Sequence, residues 1–299
     1  IATHTTNVMM VDNSLVEQSG NIFGYFGGLS GFLFGFFIFD NLATFTTVKN
    51  SYLGGFWGAF QDLMALTSVW FPETDDKTKL FKETIVRWGL ATLALMCGSA
   101  DPDCTEEECV NSCVARSLLT QDEADMVTKM GSNAVVPLLW MFDAYEVNLE
   151  SKRGTDFKSH SIESKILAMR SGVGGVLTAV SSFGLTPLPL VHLMSALVKM
   201  QLFLLAIKEG VNIADIVVGE TSGKTPQIMF SILMTLSTPI IFQGLLEFVI
   251  MIRNPFGNDW VDFPTHLYHQ QMRDEMFQFI AAGEEADSLD TVRDIKGLD

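Results

Sequence analysis

The chain has 299 residues, 48% of them hydrophobic and only 18% charged, with a formal net charge of −16. That balance favours a membrane protein with a large wet portion over a soluble domain, which would carry more charge. The acidity argues against nucleic acid and against anionic lipid headgroups as partners.

Residues 1–20 are mixed in character. The chain starts at Ile1 instead of Met, so a processed or incomplete N-terminus is expected. Three segments have the length and apolarity to span a bilayer, which takes about 20 residues. They lie near 21–45, 185–207 and 226–251. Asp40 sits in the first, Lys199 in the second, Pro239 and Glu247 in the third. Three buried helices of a soluble protein are the competing reading, but runs this long with so little charge point to a membrane. The intramembrane charges Asp40, Lys199 and Glu247 are functional candidates by position, and Asp40 and Lys199 could pair. Phe34, Ile38 and Leu42 follow one another at i, i+4, i+8 and form one stripe of the first span. Such a stripe usually faces lipid or core.

Roughly 140 residues separate the first two spans, too many for a loop. Within them, 49–170 reads as an extramembrane helical region. A helix is expected over 79–95, with Leu80, Ile85, Trp88 and Leu95 as its apolar positions. Thr120 with Glu123 makes a capping box and starts another. Further helices are expected over 135–149, entered at Pro137, and from 159–170 onward through Gly172, Gly174 and Gly175. Lys77, Lys79, Lys82, Arg87, Lys152, Arg153, Lys158, Lys165 and Arg170 put this region on the cytoplasmic, stromal or matrix side. The fold class expected is all-α.

Cys97, Cys104, Cys109 and Cys113 cluster around an acidic run. Free thiols are the first reading, a redox-sensitive disulfide the second and a metal the third. His4, His160, His192, His266 and His269 belong to no metalloprotease or triad motif, and no enzyme signature is present. His266 and His269 share a helix face, as solvated residues of a tail helix or a weak metal pair.

At the end of the last span stands Arg253-Asn254-Pro255-Phe256-Gly257-Asn258-Asp259-Trp260-Val261-Asp262-Phe263-Pro264. Its Pro-Phe-Gly turn stops the helix, and Asp259 and Asp262 follow. Free carbonyls beside two carboxylates make a hard-cation site or an acidic corner, with an ordinary helix stop as the plainer alternative. The whole string resembles the signature that closes the last transmembrane helix of bestrophins, a family of pentameric anion channels. Other segments are similar to family motifs in the same order, between residues 22 and 280. They are Asn50-Ser51-Tyr52 with Phe56-Trp57, Ser117-Leu118-Leu119-Thr120-Gln121-Asp122-Glu123, Leu188-Pro189-Leu190-Val191-His192 and Gly244-Leu245-Leu246-Glu247.

The resemblance implies a single bestrophin-like domain over 1–299 with a tail at 253–299, assembled as a homopentamer around an axial pore. It implies passive flow of chloride or bicarbonate across a lipid bilayer, with no catalytic step. Phe34, Ile38 and Leu42 become the expected pore neck, although a shifted alignment selects Phe37, Asn41 and Phe45. Ile162 becomes the inner aperture. Calcium becomes the implied cofactor, bound by Asp259 and Asp262 carboxylates and Met251 and Asn254 carbonyls. The family's first transmembrane helix is not recognised. The Gly-Asn-Asp and Asp-Phe-Pro details resemble bacterial and plastid forms, which suggests an organellar membrane such as that of a thylakoid or chloroplast. Asp40 and Gly54-Gly55 would also suit a non-conducting structural subunit of a larger membrane complex.

Overall fold

The computed structural model describes residues 13–72, 75–131, 133–150, 155–180, 188–218, 224–257 and 259–288. His4, Lys152, Arg153, Asn258 and the first three positions of the 185–207 span lie outside these. Every regular element among the described residues is helical. Helix α1 (Asn13–Thr47) passes through one wide π turn (Val48–Leu53) into α2 (Gly54–Trp70). No proline interrupts this run, and Pro72 follows its end. Helices α3 (Asp76–Ala100), α4 (Glu106–Ala115), α5 (Gln121–Lys129), α6 (Val136–Glu150) and α7 (Thr155–Val180) form the region between the spans. Helices α8 (Leu188–Val218), α9 (Lys224–Arg253) and α10 (Thr265–Ser288) follow. The expected helices at 79–95 and 159–170 fall within α3 and α7, and the one at 135–149 matches α6 to within one residue at each end.

The chain divides into two compact units: residues 1–42 with 186–252, and residues 43–185 with 253–299. The first contains the apolar helices. Phe34 and Phe37 of α1 pack with Val191, Met194 and Val198 of α8 and Leu246 and Val249 of α9. Asn41 donates Nδ2 to the Phe37 carbonyl at 2.8 Å and Ser30 donates Oγ to the Phe26 carbonyl at 2.6 Å. These two polar side chains thus bond back to their own helix. Outward, Phe32, Phe39, Phe203, Phe230, Leu236 and Ile240 are exposed. An apolar surface of this kind needs lipid or protein against it.

The second unit holds the larger core, built around Phe56, Phe60, Leu63, Ile85, Leu93, Met141, Met169, Val173, Met272 and Met276. A close backbone contact joins α7 to the π turn and the start of α2. A Cβ at Gly172 would lie 2.8 Å from the Tyr52 carbonyl oxygen and 3.0 Å from the Phe56 nitrogen, and one at Gly175 would lie 2.3 Å from the Tyr52 ring. Only glycine lets the two backbones approach so closely. Leu80 does not join this core: it is 65% exposed, while its neighbour Phe81 is buried. Lys82 is fully buried on the same helix, with Nζ 3.6 Å from Glu284 Oε1 of α10 and no hydrogen-bond partner for that nitrogen.

The capping box at Thr120 forms as expected, with Glu123 Oε2 accepting from the Thr120 nitrogen at 2.7 Å. The same carboxylate accepts from Arg87 Nη2 and from Trp88 Nε1, each at 2.8 Å. Burial alone would raise the Glu123 pKa, but these hydrogen bonds and the Arg87 charge outweigh it and hold the carboxyl down at about 2. The folded value lies below the ordinary 4.5. This stabilisation is therefore complete above the unfolded pKa and is lost as pH falls from there through the folded pKa. Glu123→Gln should cost about 2 kcal/mol at neutral pH. In chemical unfolding, its deficit against the parent should shrink steadily below the unfolded pKa. A deficit independent of pH would contradict the assignment.

Candidate functional site

Helix α1 has two unlike faces. On the inner face Phe34 is 4% exposed and its ring stacks on Phe242 of α9 at 5.8 Å. Ile38 is partly buried beside it, whereas Leu42 is 44% exposed. The expected neck stripe therefore winds from the packed interior of one copy to its surface. In the alternative register, Phe37 and Asn41 are buried and the Phe45 ring meets that of Phe263 at a tilt, 4.8 Å between centroids. The open face carries Phe32, Phe36, Phe39 and Leu42. Ile162, the expected aperture, is 2% exposed in the core of the second unit, where its side chain serves packing.

Asp40, Lys199 and Glu247 are all exposed on their helices. Glu247 accepts from Gln243 Nε2 at 3.0 Å, one turn earlier. No ion pair between Asp40 and Lys199 is among those of the described residues. The two charges lie on different helices, and both side chains point outward.

The corner after α9 is built from its own sequence. Phe263 donates its backbone N–H to the Pro255 carbonyl at 2.8 Å, and Asp262 donates to the Asp259 carbonyl at 3.1 Å. Asp262 Oδ2 accepts the Asp259 N–H in return. The rings of Phe256 and Phe263, both buried, meet edge-on at 5.3 Å. Gly257 sits close under two side chains: a Cβ there would come within 2.8 Å of Asn254 Nδ2 and 3.0 Å of Asp262 Oδ2, and both tips would have to shift. Burial raises the Asp262 pKa, and the charges of Asp259 and Asp101 push the same way. Its Oδ1 is buried without a hydrogen-bond partner. An acceptor in that state suits a cation or a proton. Asp259 is exposed, and Met251 lies in the last turn of α9. Among the described residues no group of three or more His, Cys, Asp or Glu is placed to hold a metal. Calcium at this corner would therefore depend on carbonyl oxygens as well as the two carboxylates.

The four cysteines are free thiols. Burial pushes Cys97 and Cys109 up to about 12 and Cys113 to about 11, so none is a ready thiolate. Their acidic neighbourhood hides a second capping box, Thr105 with Glu108, which starts α4. Its Thr-x-x-Glu spacing is the same local signal as that of Thr120 and Glu123, set here inside a run of acidic residues. His269 also departs from expectation. It is half-buried, and burial first, then the Arg116 charge, lower its pKa to about 4.

Among the described residues, three helices are long and apolar enough to cross a membrane. Beside the helical second unit, they mark an integral membrane protein. A family profile described as "Bestrophin, RFP-TM, chloride channel" matches residues 30–277, and the chain belongs to the bestrophin family. The family is one of channels, not enzymes, which makes the chain an anion channel in kind. Solved structures share the fold at low identity. A single-site variant of a bacterial bestrophin homologue from Klebsiella pneumoniae matches at TM-score 0.70 and 14% identity, over 89% of this chain and 91% of that one. Another variant of a Klebsiella pneumoniae homologue matches at TM-score 0.68 and 15% identity, over 90% and 92%. A structure described as a membrane protein matches at TM-score 0.72 and 13% identity, over 90% and 91%. No curated protein sequence matches the chain.

Proposed function

We propose that five copies of this chain surround a pore and pass chloride or bicarbonate down its electrochemical gradient. The observation that carries the reading is the open face of α1, where Phe32, Phe36, Phe39 and Leu42 are exposed although apolar. One copy cannot enclose a path, and the family supplies the class of cargo. Phe39 and Leu42 form the neck on this reading, whereas Phe34 and Ile38 support it from behind. A narrow apolar ring resists wetting, and the positive edges of phenyl groups suit a passing anion. A plastid or other organellar membrane is the compartment proposed, on the likeness of the closing motif to bacterial and plastid forms.

The mass of the detergent-solubilised particle and its current in a planar bilayer test this together. A pentamer is expected. Changing Phe39 and Leu42 together to Ala should raise anion current severalfold, because smaller side chains lower the cost of wetting the constriction. Unchanged current from an intact pentamer would remove these residues from the pore. A single copy held among unlike proteins would replace the channel by a structural subunit.

Calcium at the Asp259–Asp262 corner belongs to the same proposal and rests on the unpartnered Asp262 oxygen. A ligand that binds the folded state raises its melting temperature by mass action. Added calcium should therefore raise the melting point of the parent and leave the Asp259→Ala, Asp262→Ala double variant unmoved. The same melting point across a wide calcium range would reduce the corner to a structural turn.

A further inference from the structure

We propose that the second unit carries a binding site for a phosphate group, free or on a small metabolite, in the pocket between Arg116 and the first half of α10. The pocket measures 430 Å³ and is lined by Arg116, His266, His269, Gln270 and Arg273, with Leu90 and Leu118 as its apolar wall. The four residues from α10 stand at i, i+3, i+4 and i+7 and so share one helix face. His266 lies in the first turn of a 24-residue helix, where the backbone dipole adds positive potential. Arg116 comes from elsewhere, at the end of α4, and anchors its backbone N–H to the Ser112 carbonyl at 3.1 Å.

The charge distribution is what singles the pocket out. The chain has 35 acidic residues against 19 Lys and Arg, yet no carboxylate is among those lining this cavity. Arg116 makes no ion pair among the described residues. Arg273 reaches only an exposed neighbour, with its Nε 3.7 Å from Asp274 Oδ1. Two guanidinium forks, two imidazoles and an amide offer donors from several directions, which fits a tetrahedral oxyanion better than a spherical halide. His269 is neutral near pH 7 and still presents one N–H. The volume exceeds what one phosphate fills, so the Leu90 and Leu118 wall can take the organic part of an ester.

Titration calorimetry on the full chain in detergent, in chloride-free buffer, tests the site without relying on conduction. Inorganic phosphate, glycerol phosphate and chloride are the probes. Saturable binding of phosphate is expected, with chloride at least about tenfold weaker. Tighter binding of glycerol phosphate would identify an ester as the ligand, and equal binding would identify free phosphate; both support the site. Arg116→Gln and Arg273→Gln, both at exposed positions, should each weaken phosphate by about tenfold or more while the melting point holds. Arg116→Lys, which keeps the charge but loses the fork, should fall between. No saturable phosphate binding, chloride binding as tight as phosphate, or affinity unaffected by either Gln variant would overturn the proposal.

Discussion

Gly172→Ala should be among the most damaging single-methyl additions in this chain, lowering stability by about 3 kcal/mol. The new Cβ would lie 2.8 Å from the Tyr52 carbonyl oxygen and 3.0 Å from the Phe56 nitrogen. Both are backbone atoms, which cannot swing aside as a side-chain tip can. Gly175→Ala strikes the Tyr52 ring at 2.3 Å, and the ring can turn partly out of the way, so a smaller loss is expected. Gly174 supplies the control on the same helix. A Cβ there meets nothing within 4 Å, and replacing a helical glycine by alanine should stabilise by about 1 kcal/mol. Thermal unfolding of the three variants should place Gly174→Ala above the parent and Gly172→Ala lowest. Equal effects at Gly172 and Gly174 would show that α7 does not press on the π turn.

The second large effect is expected at Lys82, and its sign runs against intuition. Removing a charged residue that has an ion-pair partner ought to destabilise, but this ammonium is fully buried, and its carboxylate partner lies at 3.6 Å without a hydrogen bond. Desolvation then exceeds the attraction it recovers. Lys82→Met keeps the length and apolar contacts of the side chain and should stabilise the protein by about 2 kcal/mol. Glu284→Ala leaves the ammonium buried alone and should cost about 3 kcal/mol. If both substitutions destabilise equally, the pair is a net stabilising bridge and the buried cation is adequately solvated.

What could be read beforehand was what is local. Thr120 and Glu123 declare a helix start within four residues, and the cap forms. The apolar spans are visible because length and the scarcity of charge are properties of one segment. The face α1 turns inward could not be read in the same way. That helix is apolar on nearly every side, so spacing alone picks stripes without saying which one meets Phe242. Leu80 and Phe81 are adjacent apolar residues, and only the packing of the other helices decides which is buried. His269 looked solvated because its burial comes from packing outside its own helix, and the Arg116 charge that bears on it lies far away in sequence. The corner at Asp259 and Asp262 lies between these cases. Its turn was legible from Pro255 and Gly257, but the buried, unpartnered Asp262 oxygen was not.

The π turn at Val48–Leu53 changes how the first long helix keeps phase. Within the second unit, inward-facing positions after the turn advance by threes and fours through Phe56, Phe60 and Leu63. Between Val48 and Leu53, both buried, the step is five. An ordinary α-helix would rotate the later residues off the core over such a step, and the wider turn absorbs the surplus. The stretch thus behaves as a one-residue insertion accommodated without breaking the rod. A relative lacking one residue here would run straight through as plain α-helix and bury the same side chains on either side. Length variation at this point would therefore be nearly silent for folding, whereas one residue gained or lost a few turns away would turn an entire apolar face outward.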